Sequence, residues 1–293
     1  IIKRRKGVSL NIMSIYFTIF EILLFSLFIL CLRHAIKEGL QAVLRLLAGV
    51  AFGVLLEWAT IVQLDAYSYG RFIVMVDTVP VVIGVGWGII LYSAMLFSNS
   101  TKLPWYLRPF LDGLLALNID LAMDALAIRL GMWDWGSSLA NEYYGVPFEN
   151  FWAWFWVIFS FSLFFRVFDQ LKSPIKVWLA PLMAMGLGVF GVLGTNLFIT
   201  RIVPEEFDWL ATITVVLISL GILIARRDAI RQRDEHSSLA FWVPFGFHGY
   251  FVIIGLVSGY IFQPIILLFV SILMLLVSFG IHWDPIQKYL SKG

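Results

Sequence analysis

Charge is scarce in this chain. Only 14% of its 293 residues are Asp, Glu, Lys or Arg, while 60% are apolar and the mean hydropathy is +0.89. A soluble domain carries nearer a quarter charged residues, and a chain of this length has no core large enough to hide so much apolar surface. The composition excludes a soluble enzyme and a nucleic-acid partner and implies a lipid solvent. A single cysteine, Cys31, excludes an intrachain disulfide and a cysteine metal cluster. The four histidines, His34, His236, His248 and His282, show no metal-ligand spacing. Glycine-rich phosphate loops after a strand, Cys-x-x-Cys pairs and nucleophile elbows are missing too, so no cofactor is expected. Without repeats or low-complexity tracts, and with most of the length needed for apolar runs, residues 1–293 read as one membrane domain.

What the chain does have is long apolar runs. A span needs about 20 mostly apolar residues in helical form, because lipid offers backbone N–H and C=O groups no partner. Nine runs qualify: 12–32, 42–62, 79–97, 110–130, 151–171, 177–200, 209–225, 239–260 and 265–282. The predicted fold is all-α, a polytopic transmembrane helix bundle of eight or nine spans. The first run follows Lys3, Arg4, Arg5 and Lys6 as a signal peptide would. It has the length of a full span and no small-residue cleavage site behind it, so it reads as a retained anchor. Gln263-Pro264 reads as a tight turn between the last two runs.

The connectors alternate between a basic set (Arg33, Lys37 and Arg45; Lys102 and Arg108; Lys172 and Lys176; Arg226, Arg227, Arg231 and Arg233) and a set with few cations, 63–78, 131–150 and 201–208. The positive-inside rule assigns the basic set, and the tail with Lys288 and Lys292, to the cytoplasmic face of the membrane. The basic N-terminus then falls on the wrong side, unless a leading segment corrects it, the first run does not cross, or the count is off by one span.

Acids inside the apolar runs are the informative residues. Run 110–130 holds Asp112, Asp120 and Asp124. At about 100° per residue, Asp120 and Asp124 lie one turn apart on one face, with Asp112 two turns earlier and roughly 80° round. Each costs about 2.5–3.5 kcal/mol at mid-membrane, so the stripe is expected to face the bundle interior. Glu57, near the non-cytoplasmic end of an antiparallel run, falls towards the same side, and Glu21 stands alone in the first run. One account of such acids is structural, with pairing to Arg129, Arg71 or tyrosine hydroxyls. The other is a proton-handling or polar-substrate site, since a protonated acid beside an ionised one is the pairing that general acid/base chemistry uses. The non-cytoplasmic connectors are aromatic and polar: Asp65, Tyr67, Tyr69, Arg71 and Asp77 in one; Trp133, Asp134, Trp135, Glu142, Tyr143, Tyr144, Glu149 and Asn150 in the other. They read either as an interfacial aromatic belt or as a lid over a cavity mouth. His248, inside an apolar run, is a weak candidate for a chlorophyll-type pigment ligand.

The order Glu57, Tyr67-Ser68-Tyr69-Gly70, Val79-Pro80, Trp87 and Tyr92 resembles the carotenoid biosynthesis family, which includes membrane carotenoid hydratases acting on linear end groups. The match continues through Asp112-Gly113-Leu114-Leu115-Ala116, Ile119-Asp120, Asp124, Gly131-Met132-Trp133-Asp134-Trp135, Tyr143-Tyr144-Gly145-Val146-Pro147, Asn150-Phe151 and Trp154. It is strongest over residues 48–159. The chain departs from the pattern at Asp124-Ala125, where the family has Asp-Pro, and at Ala153, where a glycine precedes the tryptophan.

The resemblance implies addition of water across a terminal C=C of a linear carotenoid or other isoprenoid lipid drawn from the bilayer. Asp120 or Asp124 would be the acid, and Glu57 or the other aspartate would hold the water, with Asp112 completing the acid set. Trp87, Trp133 and Trp154 would face the cation, and Tyr67, Tyr69, Trp135, Tyr144 and Asn150 would shape the rest of the substrate site. The alternatives are a non-catalytic integral subunit of a photosynthetic pigment–protein complex, which would co-purify with pigment proteins, and a proton-coupled transporter, against which the lack of an inverted repeat speaks.

Overall fold

The computed structural model describes residues 15–64, 67–232, 234 and 237–282. The N-terminal cluster Lys3, Arg4, Arg5 and Lys6, together with Asp65, Arg233, His236, Lys288 and Lys292, lies outside the described residues. All nine apolar runs form helices: α1 (Ile15–Glu38), α2 (Leu40–Leu64), α3 (Val81–Ser100), α4 (Arg108–Leu130), α5 (Phe148–Asp169), α6 (Lys176–Arg201), α7 (Asp208–Ala225), α9 (Leu239–Ser258) and α10 (Ile266–Ile281). A short α8 (Arg227–Arg231) lies in the basic connector. Seven of these helices are long and apolar enough to cross a membrane, which makes this an integral membrane protein. The acid-bearing α4 is not among the seven, and α10 has only 16 residues.

α4 is surrounded instead. It packs against α3, α5, α7, α9 and α10, and Asp112, Asp120 and Asp124 are all buried within the protein. A helix with three carboxyls on one side is tolerated in lipid only when neighbours cover that side. The outer helices show the reverse pattern, with Leu182, Phe190 and Leu197 of α6 and Leu217 and Ile224 of α7 exposed.

Lipid supplies little hydrophobic drive between helices, so close backbone approach and interhelical hydrogen bonds carry the packing. α2 and α3 meet through Gly49 and Gly53 on one side and Gly84 and Gly88 on the other. A Cβ added at Gly53 would stand 2.5 Å from Cβ of Trp87, and one at Gly84 would collide with Val54. This contact brings Glu57 of α2 beside Trp87 of α3.

At the opposite end of α4 a buried network joins α3, α4 and α5. Arg166 Nη2 donates to Asp112 Oδ2 at 2.9 Å and to Ser98 Oγ at 2.7 Å, Arg166 Nη1 donates to Asn99, and Ser162 Oγ donates to Asp112 Oδ2 at 2.5 Å.

Two two-stranded ribbons form a roof over one end of the bundle. β1 (Ser68–Tyr69) pairs antiparallel with β4 (Trp133–Asp134), placing Tyr69 opposite Trp133. β2 (Met75–Val76) pairs with β3 (Val79–Pro80), which runs directly into α3. Gly131 ends α4 in the left-handed region at φ 76°, a conformation glycine adopts without a Cβ penalty. The chain is thereby turned straight into β4, and the two aromatic connectors lie across each other.

Candidate active site

Beneath the roof is a cavity of about 50 Å³. That is space for roughly three to five waters, well short of the ~300–1,000 Å³ that buries a whole small ligand. A long ligand can therefore put only its end here. The walls are of two kinds. Phe20 and Leu24 of α1, Ile83, Gly86 and Ile90 of α3, and Phe247 of α9 make an apolar arm. Glu57, Tyr67, Tyr69, Asp124 and Asn150 make a polar end, with Trp87, Trp133, Trp135 and Trp154 between.

Glu57 is buried and held by three donors. Trp87 Nε1 donates to Oε1 at 2.7 Å, Tyr69 Oη donates to Oε2 at 2.6 Å, and Tyr67 Oη donates to the same oxygen. The rings around it pack edge to face or tilted: Tyr67 on Trp135 at 4.5 Å, Tyr67 on Tyr69 at 5.4 Å, and Trp87 on Trp154 at 4.2 Å between centroids. Aromatic faces in such a cluster attract positive charge. Trp135 Nε1 is buried at the cavity wall without a hydrogen-bond partner.

Asp120 and Asp124 share one amide. Asn150 Nδ2 donates to Asp124 Oδ2 at 2.5 Å and to Asp120 Oδ2 at 3.3 Å. Asp124 faces the cavity. Asp120 does not line it and stands behind, its Oδ1 buried without a partner. Two carboxyls, one per helical turn, are thus yoked to a third polar side chain from α5, and only one of them reaches the cavity.

Most of the residues singled out in the sequence converge here: Glu57, Tyr67, Tyr69, Trp87, Asp124, Trp133, Trp135, Asn150 and Trp154 all line the cavity. Two do not. Asp112, expected in the acid set, belongs to the Arg166 network at the other end of α4. Two helical turns of rise carry it away from Asp120, and an arginine on α5 satisfies it. Tyr144 has its carbonyl bound by Arg129 Nη1 at 2.9 Å and its ring against Tyr143 at 5.2 Å, and it does not line the cavity.

Among the described residues Arg129 meets no carboxyl. It donates to the carbonyls of Ala125, Tyr144 and Gln263, tying α4 to the connector and to the turn before α10. Of the connector acids, Asp134 accepts from Gly136 N in a local turn, while Glu142 and Glu149 line a separate depression with Glu205, Glu206 and Asp208. Glu142 accepts from Phe148 N at 2.7 Å, but burial, with the charges of Glu149 and Glu205, holds its carboxyl above the ordinary range. His248 is enclosed by protein and bonded through Nε2 to Asn118 Oδ1 at 2.9 Å. Its Nδ1 is buried without a hydrogen-bond partner among the described residues. Among the described residues no group of three or more His, Cys, Asp or Glu is placed to hold a metal ion.

The apolar arm escaped the sequence reading. Phe20, Leu24, Ile83, Gly86, Ile90, Met123 and Phe247 are apolar residues in apolar helices, and nothing in their type marks the lining from the lipid face. Arg166 left a usable signal, a lone arginine in an apolar run four residues after Ser162.

The fold and cavity define a polytopic membrane protein with carboxyls presented inside the bundle to a cavity walled largely by apolar and aromatic side chains. The chain belongs to the carotenoid biosynthesis protein family, whose model matches residues 13–205, from the start of α1 to the turn after α6. No curated protein and no solved structure matches it.

Proposed function

We propose that the protein is a hydratase that adds water across the terminal C=C of a linear carotenoid. The observation that carries this is the two-sided cavity, apolar along α1, α3 and α9 and acidic at its inner end. A polyene dissolved in the bilayer would seat its tip there while its length stays among helices and lipid.

The reaction follows from the residues. Asp124, in its acid form, transfers a proton to the CH carbon of the terminal double bond, and the π electrons form the new C–H bond. The other carbon becomes a tertiary cation, faced by the rings of Trp87, Trp133 and Trp154. Water attacks that carbon, the C–O bond forms, and the proton released returns to the carboxylate of Asp124. The product is a tertiary alcohol, one water heavier than the substrate, with no oxidant or reductant consumed.

Asn150 aims Asp124, and Asp120 behind it accepts the second bond of the same amide. Glu57, already accepting three hydrogen bonds, holds its carboxyl oxygens fixed at the cavity wall, where their dipoles favour a passing cation more than its neutral precursor. The Trp135 Nε1 donor is available to the water or to the new hydroxyl.

The test is direct. Purified protein in lipid, given a linear carotenoid, is expected to yield a product heavier by one water. Asp124→Asn, which keeps the shape and an acceptor for Asn150, is expected to lose at least about 10²-fold in rate, the usual contribution of a positioned acid. No product from the wild-type protein, or full activity in Asp124→Asn, overturns the proposal.

A further inference from the structure

Among the buried acids that the reaction above leaves unused is one on α1. Glu21 of α1 is only 2% exposed. Among the described residues it touches neither the cavity lining nor another charged side chain. Both of its oxygens accept from Ile73 N, each at 3.0 Å, and Oε1 also accepts from Val74 N at 3.3 Å. A span that faces lipid elsewhere carries an acid here to hold the backbone of the roof.

The sequence order explains what that hold does. The three donors to Glu57 are Tyr67, Tyr69 and Trp87. Ile73 and Val74 lie between the two tyrosines and the tryptophan. On one side, Phe72 stacks on Phe17 of α1 at 4.8 Å and packs edge to face on Tyr69 at 6.4 Å. On the other, Val74 O accepts from Val81 N at 2.9 Å, so the hairpin β2–β3 closes onto the first residue of α3. Phe17 and Glu21 are one turn apart on α1 and grip consecutive roof residues. Phe20 and Leu24, beside them, line the cavity. We propose that Glu21 is a positioning residue: it pins the roof to α1 so that Tyr67 and Tyr69 meet Glu57 and the apolar arm stays in register with the acidic end. The consequence for turnover rests on the hydratase proposal; the hold on the roof does not.

Hydrogen bonds from backbone N–H to a carboxylate are roughly twice as strong as neutral ones. Replacement by leucine removes all three acceptor contacts, whereas glutamine retains one carbonyl oxygen. The experiment compares wild type, Glu21→Leu and Glu21→Gln in lipid nanodiscs, by amide exchange with mass spectrometry and by carotenoid hydration. In Glu21→Leu the amides of Ile73 and Val74 are expected to exchange at least about tenfold faster, the size of a lost charge-assisted bond. Amides of α2, α3 and α4 should not change, while kcat falls by a similar factor and KM by much less. Glu21→Gln is expected to lie between the two on both readouts.

A general structural role would deprotect the whole bundle, and that result overturns the proposal. So does unchanged exchange at Ile73 and Val74, or local deprotection with kcat intact. If Glu21→Leu gives no folded protein, Glu21→Gln decides by the same local exchange and the same partial loss of kcat. Should the wild type hydrate nothing, the hydratase proposal fails, and the exchange arm alone upholds or overturns the hold of Glu21 on the roof.

Discussion

Asp112 and Asp124 sit on the same helix, and neutralising each should have opposite consequences. Asp112→Asn removes the charge that Arg166 faces across 2.9 Å, in a place where the two side chains are 0% and 5% exposed. Arg166 would keep neutral partners in Ser98, Asn99 and Ser162, but its guanidinium would be left buried without a counter-ion. Breaking a buried ion pair from one side costs about 3–5 kcal/mol, a shift of the unfolding equilibrium by roughly two to four powers of ten. Unfolding in mixed micelles with a denaturing detergent, followed by tryptophan fluorescence, would measure it. Removing the second charge as well, in Asp112→Asn with Arg166→Met, should recover most of the loss, because the penalty is the orphaned cation rather than the missing attraction. Asp112→Asn held below its unfolding range should still hydrate substrate. If it proved as stable as wild type to within about 1 kcal/mol and yet inactive, Asp112 would be doing chemistry. The division of α4 into a structural and a chemical end would then be wrong.

Two further outcomes follow from the same geometry. Tyr69→Phe removes one of three donors to the buried Glu57; a buried acceptor that loses a partner costs about 1–3 kcal/mol, so hydration should slow by about tenfold in steady-state assays, and an unchanged rate would argue that Glu57 is a bystander. Glu142, in the connector after α4, has its carboxyl raised chiefly by burial. The folded form therefore binds its proton more tightly than the unfolded chain, and stability falls as pH rises from the ordinary carboxylate range through the raised value. Glu142→Gln should flatten that part of the pH dependence of the unfolding midpoint, and an identical slope in the variant would refute the assignment.

The sequence made the helices plain because lipid imposes a single requirement, about 20 apolar residues per crossing, and every run that met it is a helix. It also brought Glu57, Asp120 and Asp124 to one end of the bundle, since an intramembrane acid is conspicuous and helical periodicity fixes which acids share a face. Asp112 shows where that logic stops. Periodicity gives angle and height along one helix, and both were right, but the partner across the gap depends on how α5 packs against α4. Arg166 could be matched to Asp112 only once the two helices were side by side. The apolar arm was hidden for the complementary reason, that inside and outside are chemically alike in a membrane protein. What separates them is closure by neighbours, and closure here depends on Gly53 and Gly84 letting α2 and α3 meet and on the carboxylate of Glu21 pulling the roof down onto α1. The acids that looked alike in sequence therefore divide by what they face. Asp112 faces a cation and holds helices, Glu21 faces backbone and holds the roof, and only Asp124 and Glu57 face open space, which is the position from which a carboxyl can act on a guest.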